Sequence, residues 1–202
     1  MTPEEAYEYA KKHGPSDETR EIACKKPRYA FLYARDVDEK PRKDTRKVAC
    51  KDPGYAYFYA NEVDGCPRED TRKAACKDSF QAYEYAFNVD KRKPREDTRN
   101  AACMDSFSAW LYAKDIDKCP RDDTRNAACK DFKYAYKYAY EVDECPMDDT
   151  RKAVCKDPEW ACGYVMYIDK EFHEDTWEVV KGTKYEEEYN RFINQIEKDK
   201  II

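Results

Sequence analysis

The stretch Pro67–Asp90 reads PREDTRKAACKDSFQAYEYAFNVD. Pro67 suits a first helical position, because its missing N–H would have no partner there. Asp70 follows in the first turn, where a negative charge faces the positive end of the helix dipole. Ala74, Ala75 and Cys76 fill the second half of this helix A. Asp78 then offers an N-cap, and a helix B opens. Within it Ala82, Tyr85, Ala86 and Val89 fall at i, i+3, i+4 and i+7, which is one helical face. A strand would need alternation with period two, and these spacings do not give it.

The same unit recurs along the chain. Thr-Arg pairs stand at Thr19-Arg20, Thr45-Arg46, Thr71-Arg72, Thr98-Arg99, Thr124-Arg125 and Thr150-Arg151, at steps of 26, 26, 27, 26 and 26 residues. Each Thr has a proline four residues before it (Pro15 to Pro146) and a cysteine five after it (Cys24 to Cys155). A degenerate copy keeps Asp175-Thr176 but carries Trp177 and Lys181 in place of Arg and Cys. The single longer step adds one residue between Asp90 and Pro94, which places the break between helices in a loop. Helices of about 11 residues are not stable alone, so neighbouring copies must stack. The fold class expected is all-α: an elongated, right-handed α-solenoid of stacked two-helix repeats with helical caps. Its parts are an N-terminal capping helix (1–14), six repeats plus a degenerate seventh half-repeat (15–181), and a C-terminal capping helix (182–202) with a Tyr185, Tyr189, Phe192, Ile196 stripe.

Composition agrees with this. Val, Ile, Leu and Phe make only 26 of 202 residues, below the roughly 20% of an ordinary aliphatic core. The 22 Ala and 18 Tyr can replace them, Ala by close helix approach and Tyr by buried area with a polar tip. Net charge is −5, from 38 basic and 43 acidic residues, well mixed, so neither a polybasic tail nor a uniformly acidic nucleic-acid mimic is present. No apolar run approaches the length of a membrane span. The acidic start Met1-Thr2-Pro3-Glu4-Glu5 is unlike a secretory signal. A cytoplasmic, reducing location is expected.

The run Pro-x-x-x-Thr-Arg-x-x-Ala, carried by Pro41/Thr45/Arg46/Ala49 and Pro120/Thr124/Arg125/Ala128, resembles the start of HEAT-like and leucine-rich-repeat-variant helical repeats. The resemblance covers about residues 15–181 and implies an α-solenoid. The repeat is shorter than a HEAT unit, and Thr replaces the usual aliphatic residue. The Ala-Tyr-x-Tyr-Ala signature is also similar to Tyr-rich repeat arrays carried by bacteriophages.

Three residue sets are candidates for function. The arginines Arg20, Arg46, Arg72, Arg99, Arg125 and Arg151 form a ladder. It is either structural, pairing with helix-end carboxylates such as Asp44, Asp52 or Asp70, or a phosphate track. The aromatics beside the buried stripe (Phe31, Tyr57, Tyr83, Trp110 and Tyr136) and the variable outward positions after them (Phe58, Glu84, Leu111 and Lys137, with Gly163 next) form a candidate partner-binding face. The ten cysteines lie too far apart at equivalent positions for a disulfide ladder and lack metal-ligand spacing, so free thiols are expected. With His13 and His173 at opposite ends and no phosphate loop or nucleophile motif, no catalytic site, cofactor or metal is expected. The expected function is a non-enzymatic binding scaffold whose partner is a protein; the phage resemblance implies a host or host-defence factor. The alternatives are nucleic-acid binding through the Arg ladder and a self-assembling structural protein.

Overall fold

The computed structural model describes residues 1–199. Among them are fifteen α-helices and no strand. Residues 200–202 of the expected C-terminal cap lie outside the described part. The chain forms two compact units, Met1–Ala102 and Cys103 onward. The first contains α1 (Pro3–His13), α2 (Asp17–Ala23), α3 (Pro27–Asp36), α4 (Lys43–Ala49), α5 (Pro53–Phe58), α6 (Glu69–Ala75), α7 (Ser79–Glu84) and α8 (Glu96–Ala102). The second contains α9 (Ser106–Tyr112), α10 (Asp122–Ala128), α11 (Phe132–Tyr138), α12 (Asp148–Val154), α13 (Pro158–Tyr164), α14 (Glu174–Val180) and α15 (Glu186–Asp199).

The packing shifts the repeat by half a unit from the frame that the prolines mark. The most extensive contacts join each helix B to the helix A that follows it: α1 with α2, α3 with α4, α5 with α6 and α7 with α8, then α9 with α10, α11 with α12 and α13 with α14. The first helix is therefore one arm of a complete hairpin and not a lone cap. Alanines make this possible, since small side chains let two helices approach closely. Ala10 of α1 meets Ala23 of α2, Ala34 meets Ala49, Ala60 meets Ala75, and Ala113 meets Ala128. A tyrosine from the next helix B then closes each alanine groove: Tyr33, Tyr59, Tyr85 and Tyr138 respectively, with Tyr164 on Ala139 and Val154. These rings have no exposed surface. Burial of each contributes about 2–3 kcal/mol, enough for Ala and Tyr to replace an aliphatic core. At the C-terminal end α15 supplies Tyr189 against Val165 and Val180, so it acts as a last helix B.

Local signals explain where helices start. Asp52, Asp78, Asp105, Asp131 and Asp157 each cap a helix B through a backbone N–H, and Pro27, Pro53 and Pro158 occupy the first turn. The prolines before helix A do not open the helix, contrary to the sequence reading. Helix α4 begins at Lys43 and α6 at Glu69, each after an extended arginine N-cap, Arg42 or Arg68. The reason lies in that N-cap's N–H, which is donated to a buried tyrosine and which proline lacks.

Helix B also differs from a plain α-helix at its end. Five copies widen into a π-helical turn: Tyr59–Asp64, Tyr85–Val89, Ala113–Asp117, Ala139–Asp143 and Val165–Asp169. The bonds Asp90 N–H to Tyr85 C=O (3.0 Å), Lys118 to Ala113 (2.8 Å) and Lys170 to Val165 (2.8 Å) span five residues. Each residue of a π-turn advances by less rotation than in an α-turn. The aspartate at the turn's end thereby stays toward the preceding helix A. After the turn the chain reverses through left-handed residues, glycine only once (Gly65), elsewhere Lys91 and Arg92, Lys118, Glu144 or Lys170.

Candidate binding site on the helix B face

Two polar ladders join successive hairpins, and both involve residues of the Thr-Arg signature. In the first, Thr71 is buried and its hydroxyl lies 2.9 Å from the Tyr85 hydroxyl. The Arg68 N–H donates to Tyr85 Oη (2.9 Å), and both hydroxyls reach the Arg68 carbonyl, at 3.0 and 3.2 Å. Two O–H groups and one N–H thus satisfy one another around a helix N-terminus, where backbone donors otherwise lack partners. The arrangement repeats at Thr19/Tyr33, Thr45/Tyr59, Thr124/Tyr138 and Thr150/Tyr164. It persists as a Thr176–Tyr189 hydroxyl pair at the last helix. This is why a hydroxyl stands at each of these buried threonine positions. Burial pushes the Tyr164 hydroxyl up to about 12.

In the second ladder Arg20, Arg46, Arg72, Arg125 and Arg151 each meet the aspartate at the end of the following helix B. Arg20 binds Asp38 through two nitrogens (3.0 and 2.7 Å), as do Arg72 with Asp90 (3.2 and 2.8 Å) and Arg151 with Asp169 (2.9 and 2.8 Å). Arg125 grips Asp143 at 2.6 Å. Arg46 divides itself between Asp64 (2.8 Å) and Asp70 of the next copy (3.0 Å). Arg99 holds the same place on α8. Of the carboxylates named from sequence, Asp70 is a partner, whereas Asp52 is a helix cap and Asp44 lies against Arg42. The sequence reading passed over Asp38 after α3 and the aspartates that end π-turns, Asp64, Asp143 and Asp169. Burial pushes the Asp64 and Asp143 carboxyls up from their ordinary value, against the pull of the paired arginines. Trp177 replaces the arginine in the last copy and packs on Tyr189, with ring centres 5.5 Å apart.

Four of the five aromatics of the candidate partner-binding face are buried. Phe31, Tyr57, Tyr83 and Trp110 are only 4 to 8% exposed. At Phe31, Tyr57 and Trp110 the variable residue one copy later covers the ring. Phe58 lies on Phe31 (5.9 Å between centres), Glu84 accepts the Tyr57 hydroxyl (3.1 Å), and Lys137 Nζ sits 4.3 Å above Trp110. Leu111 packs beside Trp110. The variable positions therefore fill one another's grooves, which accounts for much of their variation.

Gly163 breaks the series. It follows Tyr136 as Lys137 follows Trp110, and a Cβ placed on it would stand 3.6 Å from Tyr136 Cε2. The space is open instead. Helices α11, α13 and α15 enclose a cleft of about 290 Å³ lined by Tyr136, Trp160, Tyr167 and Tyr185. Buried Cys162 and half-buried Met166 lie deeper, and exposed Glu159 and Glu188 stand at its edge. Trp160 meets Tyr136 edge-on at 5.2 Å, and Tyr140 stacks on Tyr136 at 6.1 Å. The Tyr185 hydroxyl donates to Glu159 (2.7 Å). Tyr140 and Tyr167 are 56 and 59% exposed. Of this cleft, sequence reasoning named Tyr136 as binding and Gly163 as variable, but missed Tyr167, Tyr185, Glu159 and Glu188. The available signal was a glycine inside a helix, which costs about 1 kcal/mol relative to alanine.

Cys66, Cys119 and Cys145 are exposed in loops, Cys162 is buried, and the other six cysteines are half-buried at the ends of helix A. No helix among the described residues is long and apolar enough to cross a membrane. No protein-family model, curated protein or solved structure matches the chain.

Proposed function

We propose that this helical-repeat chain is a non-enzymatic scaffold that binds a protein through the helix B face of its second unit. The observation that carries this reading is the pair of largely exposed rings, Tyr140 and Tyr167, flanking the Gly163 cleft. Aromatic side chains of this kind, apolar in body and polar at the tip, are those on which binding energy concentrates. The alternative of a phosphate track loses its support, because Arg20, Arg46, Arg72, Arg125 and Arg151 are already held by aspartates. The free thiols of Cys66, Cys119 and Cys145, exposed in loops, fit a reducing compartment. The resemblance to Tyr-rich phage arrays makes a host protein the first partner class to try. The test is affinity capture from host lysate, with nuclease added, comparing the wild-type chain with Tyr140→Ser/Tyr167→Ser. A protein retained by the former and lost by the latter supports the reading. Capture that disappears with nuclease, or that is indifferent to both tyrosines, rejects it.

A further inference from the structure

We propose that the Gly163 cleft binds a quaternary ammonium group of about choline size. The inference holds whichever protein partner the scaffold has. The chain itself displays the interaction one copy earlier. There Trp110 receives two cations from its own chain, Lys137 Nζ at 4.3 Å and Lys114 Nζ at 5.1 Å from the ring centre. Moving forward by one copy turns Trp110 into Tyr136, Lys137 into Gly163 and Lys114 into Tyr140. The place of the internal ammonium is thus open, and the ring wall around it is larger. Trp160 meets Tyr136 edge-on, Tyr167 and Tyr185 complete the wall, and the lining includes two carboxylates, Glu159 and Glu188, and no basic residue. Lys184 stacks over Tyr185 at 4.8 Å but does not line the cleft.

Two further considerations select the ligand. A primary ammonium has three N–H donors that need acceptors. The inner part of the cleft offers rings, a thioether and a thiol, while its carboxylates stand at the edge. A quaternary ammonium has no N–H to satisfy and is held by ring faces. A cleft of about 290 Å³ is at the small end for ligand sites and suits a head group more than a drug-sized molecule.

The experiment titrates the full-length chain with choline and with 3,3-dimethyl-1-butanol, its uncharged counterpart of the same shape. Binding is read by calorimetry and by tryptophan fluorescence. The expected result is saturable binding of choline, with the neutral compound about tenfold weaker. Gly163→Leu should remove the site while leaving the fold intact, since Leu111 stands at the equivalent position and the backbone at Gly163 has room. Circular dichroism checks that folding. Glu188→Gln, at an exposed residue, provides a second variant and should weaken choline binding about threefold by removing one charge at the edge. A peptide bearing one trimethyllysine distinguishes the two sources of such a group. Tighter binding of the peptide than of choline assigns the site to a protein-borne cation, and tighter binding of choline to a free one. Absence of saturation with choline, equal binding of the neutral compound, or undiminished binding by folded Gly163→Leu would overturn the proposal.

Discussion

The buried Tyr85 hydroxyl has three partners within reach, and removing the oxygen takes a bond from each of them. In Tyr85→Phe the Arg68 N–H and the Thr71 hydroxyl lose a partner in a place that water does not reach. The expected cost is about 1–3 kcal/mol, read from urea midpoints. Thr71→Val should cost less, because Tyr85 can still donate to the Arg68 carbonyl. The double variant should lose less than the sum of the two singles, since the hydroxyls share one network. Strict additivity would show that the two hydroxyls do not support each other. The sequence carried this ladder openly, as Thr at a fixed place in each full copy and a buried-stripe Tyr fourteen residues later, but a hydroxyl pair is not written in periodicity. Composition showed that tyrosine had to build the core, while the partner of its polar tip became visible only with the hairpins in place.

At the level of the helix, the π-turn and the left-handed residue after it are what the sequence reading missed. Both accompany the packing of Asp64, Asp143 and Asp169 against arginines of the preceding helix A, a long-range demand that overrides local preference. The glycine that would have announced the reversal occurs once, at Gly65, whereas Glu144 adopts φ 53° and Lys118 φ 53° with a side chain present. Each such residue carries a steric cost of about 1 kcal/mol that glycine avoids. Glu144→Gly is therefore expected to raise stability by about 0.5–1 kcal/mol, after the entropy that glycine itself costs. A drop in the thermal midpoint would mean that this loop is not held in the left-handed conformation. The half-unit shift of frame has a similar origin. Prolines and caps report where helices begin, but Ala-on-Ala contact decides which two helices become a pair.

Over the whole chain, the half-buried thiols set an alkaline limit. Burial pushes Cys24, Cys50, Cys76 and Cys155 up to about 11 and Cys129 up to about 12, above the ordinary 9.0. Folded-state values above the ordinary one mean that stability is full below about pH 9 and is lost as pH rises through 11 to 12. Tyr57 and Tyr164, each raised to about 12, act in the same direction. Urea midpoints should be level from about pH 7 to 8.5 and fall between about pH 9.5 and 12; a level curve to pH 11 would show the thiols to be solvated. The repeat, its helices and the apolar stripe were legible in the sequence because they recur locally. The cleft was not, because it is a single departure from the repeat, at Gly163, completed by Tyr185 in the turn before α15 and Glu188 on that helix. The account rests on the division between arginines that build the stack and a face that binds, and substitution of one arginine in each unit tests it most directly. Arg72→Ala and Arg125→Ala each leave a buried aspartate unpaired, at a cost of about 3–5 kcal/mol. The predicted result is a fall of roughly 5 °C or more in thermal midpoint for each, with no salt-sensitive oligonucleotide binding by either variant or by the wild-type chain. Unchanged midpoints, together with wild-type oligonucleotide binding that both variants lose, would contradict it.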